Sequence, residues 1–337
     1  STSVRRQVSI SEAPPTLAAL QDLVEDGLDQ VMSELRRIVT SDFDRIDEVN
    51  TYLMMVRGKL FRPTLTLLSN QVGGQPDRRA TTLAAVVELV HLATLVHDDA
   101  VDHSVMRRGQ PTVNALWTHQ VAIIMGDYLY SRAVIELAEL DMIEAVRIMG
   151  TAAAEMSVGE MRQLTSHDAL DFSEEDYTRL ISAKTASLMK AACEMGALVG
   201  VPEFREPLGR FGHALGMAFQ VADDLLDFVG TAEETGKPTG HDLRERKVTL
   251  PLVGALPHVD GTELQQIRDF FSADREPTDA EIARLVDITE RRGGIAYARE
   301  QARSYAEAAE SALDELAPGP AVDALRSSVA YATLRRR

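Results

Sequence analysis

The amino-acid sequence predicts an all-α fold in a single domain. Three observations carry that prediction. Hydrophobic residues make up 45% of the 337 positions and aromatics only 5%, with abundant Ala, Leu, Glu and Arg, residues that favour helix over sheet. Apolar residues recur at helical spacing from about Leu17 onward, broken by brief Gly and Pro punctuation at VGGQPD, RRGQP, TGKPTG and RRGG. No long linker interrupts the pattern, so one helical domain is expected over residues 1–337, with 1–14 as a flexible N-terminal segment.

The first acidic helix is TTLAAVVELVHLATLVHDDAVD. It is apolar on nearly every face, which marks a helix buried inside a bundle, and Asp98, Asp99 and Asp102 emerge at its end. His91 lies seven residues earlier, two turns below Asp98 on about the same side. A core histidine bonded to a carbonyl is the plainer reading of it. Upstream, RGKLFRP puts Lys59 and Arg62 three apart on one helix face, a basic pair that would otherwise be an exposed stripe. Downstream, Arg107 and Arg108 precede Gly109 and Pro111, a tight turn able to fold both guanidiniums over the acids. Lys184 and Thr185 stand in ISAKTASLMKAA. The segment GRFGHALGMAFQVADDLLDF repeats the first design and ends in Asp223, Asp224 and Asp227. A polar interval over residues 230–247 follows, carries Lys237 and Lys247, and has the length of a functional loop.

Residues three and four apart share a helix face, so each cluster sets carboxylates side by side. Like charges so placed repel and call for cations between them. An oxygen-only donor set selects a hard ion. Mg2+ is typically held by one or two carboxylates plus substrate phosphates, which suits a diphosphate–metal bridge. Neither cluster resembles the Gly-containing loop of an EF-hand. Solvated acids or helix caps would explain either cluster alone; its repetition after two buried helices argues against that. Lys59, Arg62, His91, Arg107, Arg108, Lys184, Lys237 and Lys247 supply the positive charge that a site for two diphosphates needs in a chain of formal net charge −17.

That net charge argues against nucleic-acid binding. No run of 18 uncharged apolar residues occurs, so no membrane-spanning helix is expected, and STSVRRQVSISEAPP lacks an apolar signal core. A cytoplasmic location is the expectation. The single cysteine, Cys193, reads as a small buried hydrophobe in LMKAACEMGAL, which leaves no disulfide or cysteine–zinc chemistry.

Taken together, Gly58-Lys59-x-x-Arg62-Pro63, HLATLVHDDAVDHSVMRRGQPT, Gly126-Asp127, Lys184-Thr185, Gly216-x-x-Phe219-Gln220-x-x-Asp223-Asp224-x-x-Asp227 and GKPTGHDLRERKVTLP resemble the trans-isoprenyl (polyprenyl) diphosphate synthases, the longer-chain members in particular. The resemblance implies a bundle of long helices around a deep central cavity, a homodimer, and about three Mg2+ ions with substrate bound. It implies Asp98, Asp102 and Asp223 as leading metal ligands, with Asp99, Asp224 and Asp227 as ligands or supports. Lys59, Arg62, His91 and Arg108 would hold isopentenyl diphosphate. Arg107, Lys184, Lys237 and Lys247 would hold the allylic diphosphate. Thr185 and Gln220 would turn oxygen dipoles toward the developing carbocation, and Arg335, Arg336 and Arg337 would help close the site. The family often has Gly where this chain has Arg246, which would alter the loop or add a phosphate contact.

The growing tail would run beneath DDAVD, where Ala93, Thr94 and Val90 set the floor and none is aromatic. A product of six or more prenyl units follows as the expectation, released with transient membrane contact; Tyr128 or Tyr130 could block the opposite wall. A short- or medium-chain synthase making farnesyl or geranylgeranyl diphosphate is the alternative, and a non-catalytic prenyl diphosphate-binding subunit a more distant one. A class I terpene cyclase would normally lack the second DDxxD and GKLFRP.

Overall fold

A computed structural model describes residues 14–165, 168–230 and 240–334. Helices dominate it in the order α1 (Leu17–Gln21), α2 (Glu25–Val39), α3 (Asp44–Met55), α4 (Phe61–Asn70), α5 (Arg79–Val101), α6 (Val113–Leu116), α7 (His119–Glu139), α8 (Ile143–Thr165), α9 (Glu174–Ile181) and α10 (Ser187–Leu198). They continue with α11 (Arg205–Val229), α12 (His241–Arg244), α13 (Leu250–Ala255), α14 (Gly261–Ser272), α15 (Asp279–Arg291), α16 (Gly294–Leu313) and α17 (Pro320–Leu334). The one departure from an all-helical chain among the described residues is a small antiparallel ribbon, β1 (Met106–Arg107) with β2 (Gln110–Pro111).

Helix starts follow local chemistry. Thr118, Ser173, Asp260 and Thr278 each accept a backbone N–H from the first turn of the helix that follows, and the last three form complete capping boxes. Helix α5 is apolar around its whole circumference and most of it is buried in the bundle; by length and composition it is the one described helix that could cross a membrane. Its hydrophobicity is accounted for by neighbours on every side. Helices α4, α7, α10 and α2 pack against it.

The buried apolar side chains form two clusters. One gathers α2, α4, α5, α7, α8 and α10 around residues such as Leu65, Leu89 and Met125; the other gathers α9 and α13 to α16 around Ile267, Leu285 and Ile288. Helix α11 belongs to both: Phe211 and Leu215 sit in the first, Val221 and Phe228 in the second. Both acidic clusters lie where these two cores meet, on the C-terminal ends of α5 and α11.

Helices α4 and α10 approach closely because Gly196 has no side chain. A Cβ there would stand 2.1 Å from the Thr66 carbonyl oxygen and 3.0 Å from the Asn70 amide, both unyielding backbone atoms. Replacing Gly196 with Ala should therefore destabilise the fold by roughly 1–3 kcal/mol, the usual cost of overpacking. Chemical denaturation measures it, and an unchanged midpoint would contradict this close approach.

Candidate active site

Asp98 lies in the last turn of α5, and the Asp102 amide donates to the Asp98 carbonyl (2.9 Å), which keeps the two carboxylates on one helix face. Asp99 points elsewhere. Arg107 donates to it through Nε and Nη2, each at 2.9 Å, a two-pronged pair with Asp99 almost fully covered. The turn between β1 and β2 explains how: Arg108 and Gly109 both have positive φ, as in a two-residue hairpin, and the ribbon doubles back over α5. The predicted turn is present, but its two arginines diverge. Arg107 braces Asp99, whereas the Arg108 guanidinium reaches toward Gly58, 3.2 Å from where a Cβ of residue 58 would sit.

Arg108 there joins a basic group. Arg62 Nη1 is 3.3 Å from His91 Nε2, and burial holds the His91 imidazole well below its usual range, with the charges of Arg62, Arg108 and Arg107 adding to the effect. Beneath them lies Glu88, 2% exposed, which the sequence did not single out. Burial lifts its carboxyl to about 7, against the pull of Arg62, Arg108 and Arg57. The Lys59 carbonyl accepts from Gln21, fixing the backbone of the GKLFRP segment to α1.

Across the seam, Lys184 sits in a single π-helical turn, Ser182–Ala186, between α9 and α10. Such a turn adds a residue to the helix and re-aims its neighbours. Lys184 Nζ lies 2.6 Å from Glu160 and donates to Gln163 (2.7 Å), both on α8. Glu160 in turn stands beside Asp98, and burial together with the Glu160 charge raises the Asp98 carboxyl well above the ordinary range. Lys184 thus ties the first cluster to the cavity beside the second. Glu160 and Gln163 are additions to the site; their only trace in the sequence is an i, i+3 spacing directly after Gly159.

Thr185 faces the other way. Its hydroxyl donates to Gln220 Oε1 (2.9 Å), the Gln220 amide donates to Asp224 (3.0 Å), and Tyr177 donates to the other Asp224 oxygen (2.5 Å). Burial and the neighbouring Asp242 lift Asp224 to about 8. Asp227 is also sealed, 1% exposed, and accepts the His241 and Asp242 amides at 3.1 and 2.9 Å. Asp223 remains the member of the second cluster that is not buried. It lines a cavity of about 490 Å³ with Lys184, Thr185, Gln220, Asp224 and Lys247. Burial lowers the Lys247 ammonium, but Glu245, Asp242 and Asp102 outweigh it and the net shift is upward.

Among the described residues no three acidic, histidine or cysteine side chains converge as a ready-made metal cage. Asp102 is exposed and Asp98 and Asp223 are half-buried, whereas Asp99, Asp224 and Asp227 are buried; the first three are hard-oxygen donors that suit a cation completed by substrate oxygens. Val90 and Ala93 are fully buried, and Thr94, half-buried, donates to the Val90 carbonyl (2.9 Å) beside the Met156 sulphur. None of the three lines the cavity described above. The Tyr128 hydroxyl donates to the Val39 carbonyl, tying α7 to α2. Lys237, Arg335, Arg336 and Arg337 lie outside the described residues.

Asp98 and Asp224 both titrate above the ordinary value of 3.8, so the folded chain carries extra protons between that value and about 8. The stability they contribute is present at acid pH and lost as pH rises through the raised values. An Asp98→Asn variant escapes that loss. In metal-free buffer its melting temperature relative to wild type should be higher near pH 8.5 than near pH 5; a pH-independent difference would refute the raised Asp98.

Similarity to known proteins agrees with this geometry. The profile of the Polyprenyl synthetase family matches residues 43–289, which include both aspartate clusters. Heptaprenyl diphosphate synthase component 2 of Geobacillus stearothermophilus is 36% identical, over 94% of this chain and 98% of its own. Octaprenyl diphosphate synthase of Escherichia coli is 33% identical, over 95% and 99%. The polyprenyl synthase of Caulobacter crescentus, solved with calcium and isoprenyl diphosphate, superposes with a TM-score of 0.89 at 33% identity, covering 97% of this chain and all of that one. A match that takes in most of the chain and both aspartate clusters makes this protein a member of the polyprenyl synthetase family.

Proposed function

We propose that the protein condenses isopentenyl diphosphate with an allylic diphosphate, head to tail and in successive trans additions, to a polyprenyl diphosphate of six or more units. The segregation of its cations carries this reading. Arg62 and Arg108, beside the neutral His91, form one group, and Lys184 and Lys247, which line the cavity with Asp223, form another, an arrangement for two anionic substrates held apart. Lys59 and Arg107 are assigned to the same two groups, and Arg107 would then serve its diphosphate while bracing Asp99.

Asp98, Asp102 and Asp223 would hold Mg2+, about three ions with substrate present. When bound, the ions supply charge stabilisation to the departing diphosphate. The chain's own groups do the rest. Lys184 and Lys247 neutralise the allylic diphosphate as its C–O bond ionises, and their fixed positions cost no reorganisation at that moment. Thr185 and Gln220 present oxygen to the allylic cation, and the Thr185–Gln220–Asp224–Tyr177 chain holds both in place. The double bond of isopentenyl diphosphate attacks, and released diphosphate takes the proton. Phe172, Leu180, Ile181, Val248 and Phe271 give the cavity an apolar part of its wall, where water has less access to the cation.

The long-chain assignment draws on the names of the relatives, heptaprenyl and octaprenyl diphosphate synthases, and on small or aliphatic residues before DDAVD. Radiolabelled isopentenyl diphosphate and a short primer, followed by sizing of products, test it. Ala93→Phe should shorten the product, while Asp98→Ala and Asp223→Ala should abolish turnover with the helical circular dichroism intact. A wild-type product stopping at farnesyl or geranylgeranyl diphosphate defeats the long-chain reading, and undiminished turnover in either aspartate variant defeats the metal assignment.

We assign the active form as a homodimer. Helices α7 and α8 expose Ile124 (57%), Ile143 (70%), Met161 (62%) and Leu164 (58%), with Ile123, Val134 and Val158 alongside. An apolar face of that extent belongs at an interface. A second subunit of different sequence is the rival occupant, suggested by the word component in the name of one relative. Light scattering on the purified chain should give twice the monomer mass, and Ile124→Asp should halve it; a wild-type monomer that gains activity only with another subunit favours the rival. The net charge of −17 and the burial of α5 inside the bundle fit a cytoplasmic enzyme that meets the membrane only to release product.

A further inference from the structure

We propose that Arg246 is a positioning residue that ties helix α12, and the Lys247 that follows it, to the C-terminal end of α14. This rests on the reading of Lys247 as a ligand of the allylic diphosphate. Helix α12 has only four residues and does not stand by itself. Its N-terminal end is held by Asp227, whose carboxylate accepts the first two amides of the helix, His241 and Asp242. At the other end the Arg246 amide donates to the Leu243 carbonyl (2.9 Å) and the Lys247 amide to the Asp242 carbonyl (2.8 Å). Those two bonds make a Schellman cap, whose left-handed position normally falls to glycine. Here the residue is Arg246, at φ +52°.

Glycine would take that conformation without strain. The arginine side chain supplies something glycine cannot. Its Nε donates to the Phe270 carbonyl (3.0 Å), its Nη2 donates to the Arg275 carbonyl, and the guanidinium lies 5.5 Å from the centre of the Phe270 ring. Phe270 is in the last turn of α14, where carbonyls lack helical partners and the dipole is negative, a favourable seat for a planar cation. The strut that delivers Lys247 is thereby anchored at one end on the second aspartate cluster and at the other on α14. Two of its donors, Nε and Nη2, are committed to backbone carbonyls, and it borders the same cavity as Lys247 and Asp223.

Arg246→Gly and Arg246→Ala separate the tether from the cap. Both lose the tether, but only Ala keeps the left-handed strain, so the Gly variant should melt higher than the Ala variant. Both should nevertheless raise KM for the allylic diphosphate by roughly five- to tenfold, the loss of a charge-assisted contact at one remove, with kcat and KM for isopentenyl diphosphate little changed. Wild-type allylic KM in the Gly variant would overturn the proposal, as would an equal rise in both KM values. Hydrogen exchange at the amides of residues 246 and 247 reads the tether independently of substrate and should quicken in both variants; unchanged exchange overturns it too. Lys247→Ala is the control for the underlying reading. If that variant leaves the allylic KM unchanged, the ligand assignment of Lys247 fails, while the exchange result still decides the tether.

Discussion

Carboxylates collected at the ends of buried helices are the constraint to which the rest of this structure answers. Taking ionised acids out of water is costly unless each finds a partner or a proton. Each cluster solves the problem by dividing its members. Asp99 is paired with Arg107, Asp224 is bonded to Tyr177 and Gln220, and Asp227 is spent on two backbone amides. Asp98 shares its environment with Glu160 and Lys184, and Asp102 and Asp223 stay in reach of solvent. Half of the six aspartates thus brace the site, while the others keep a face toward solvent or the cavity. A carboxylate with an accessible oxygen is what a divalent cation can use.

The two cores give this division a mechanical basis. Helix α5 is rooted in the first core and α11 runs through both, so the two clusters are carried on elements that share one helix–helix framework. Lys184 crosses the seam because a π-helical turn re-aims it toward α8, while Thr185, its neighbour, faces Gln220 on α11. One backbone irregularity therefore serves both sides of the cavity. The cationic groups remain apart for the same reason: the GKLFRP segment packs on the first core and the β1–β2 ribbon is bonded to Tyr52 and Asp99 on that side, whereas Lys247 hangs from a strut attached to the second.

Several features escaped the linear reading because nothing local encodes them. Glu160 matters by standing across from Asp98, and Tyr177 by donating to Asp224, contacts separated by 62 and 47 positions in the chain. Glu88 looked like any acid in an apolar run, and its burial under three arginines depends on how α4 and the ribbon pack over α5. The divergence of Arg107 and Arg108 followed from a ribbon in an otherwise helical chain. Arg246 was visible as a departure from the usual glycine, but where its side chain would go depended on the distant end of α14.

The sequence by itself determined the helical class, the two buried helices with acidic ends and the identity of the polar side chains around them. These are set by composition and by the 3.6-residue period, which act over neighbouring positions. Tertiary structure alone decided which aspartate braces and which stays available, because that depends on partners brought from other helices and on how far each carboxylate is removed from water. Spacing can put Asp98, Asp99 and Asp102 on one turn. Only packing could turn Asp99 toward an arginine and leave Asp98 facing Glu160 and Lys184.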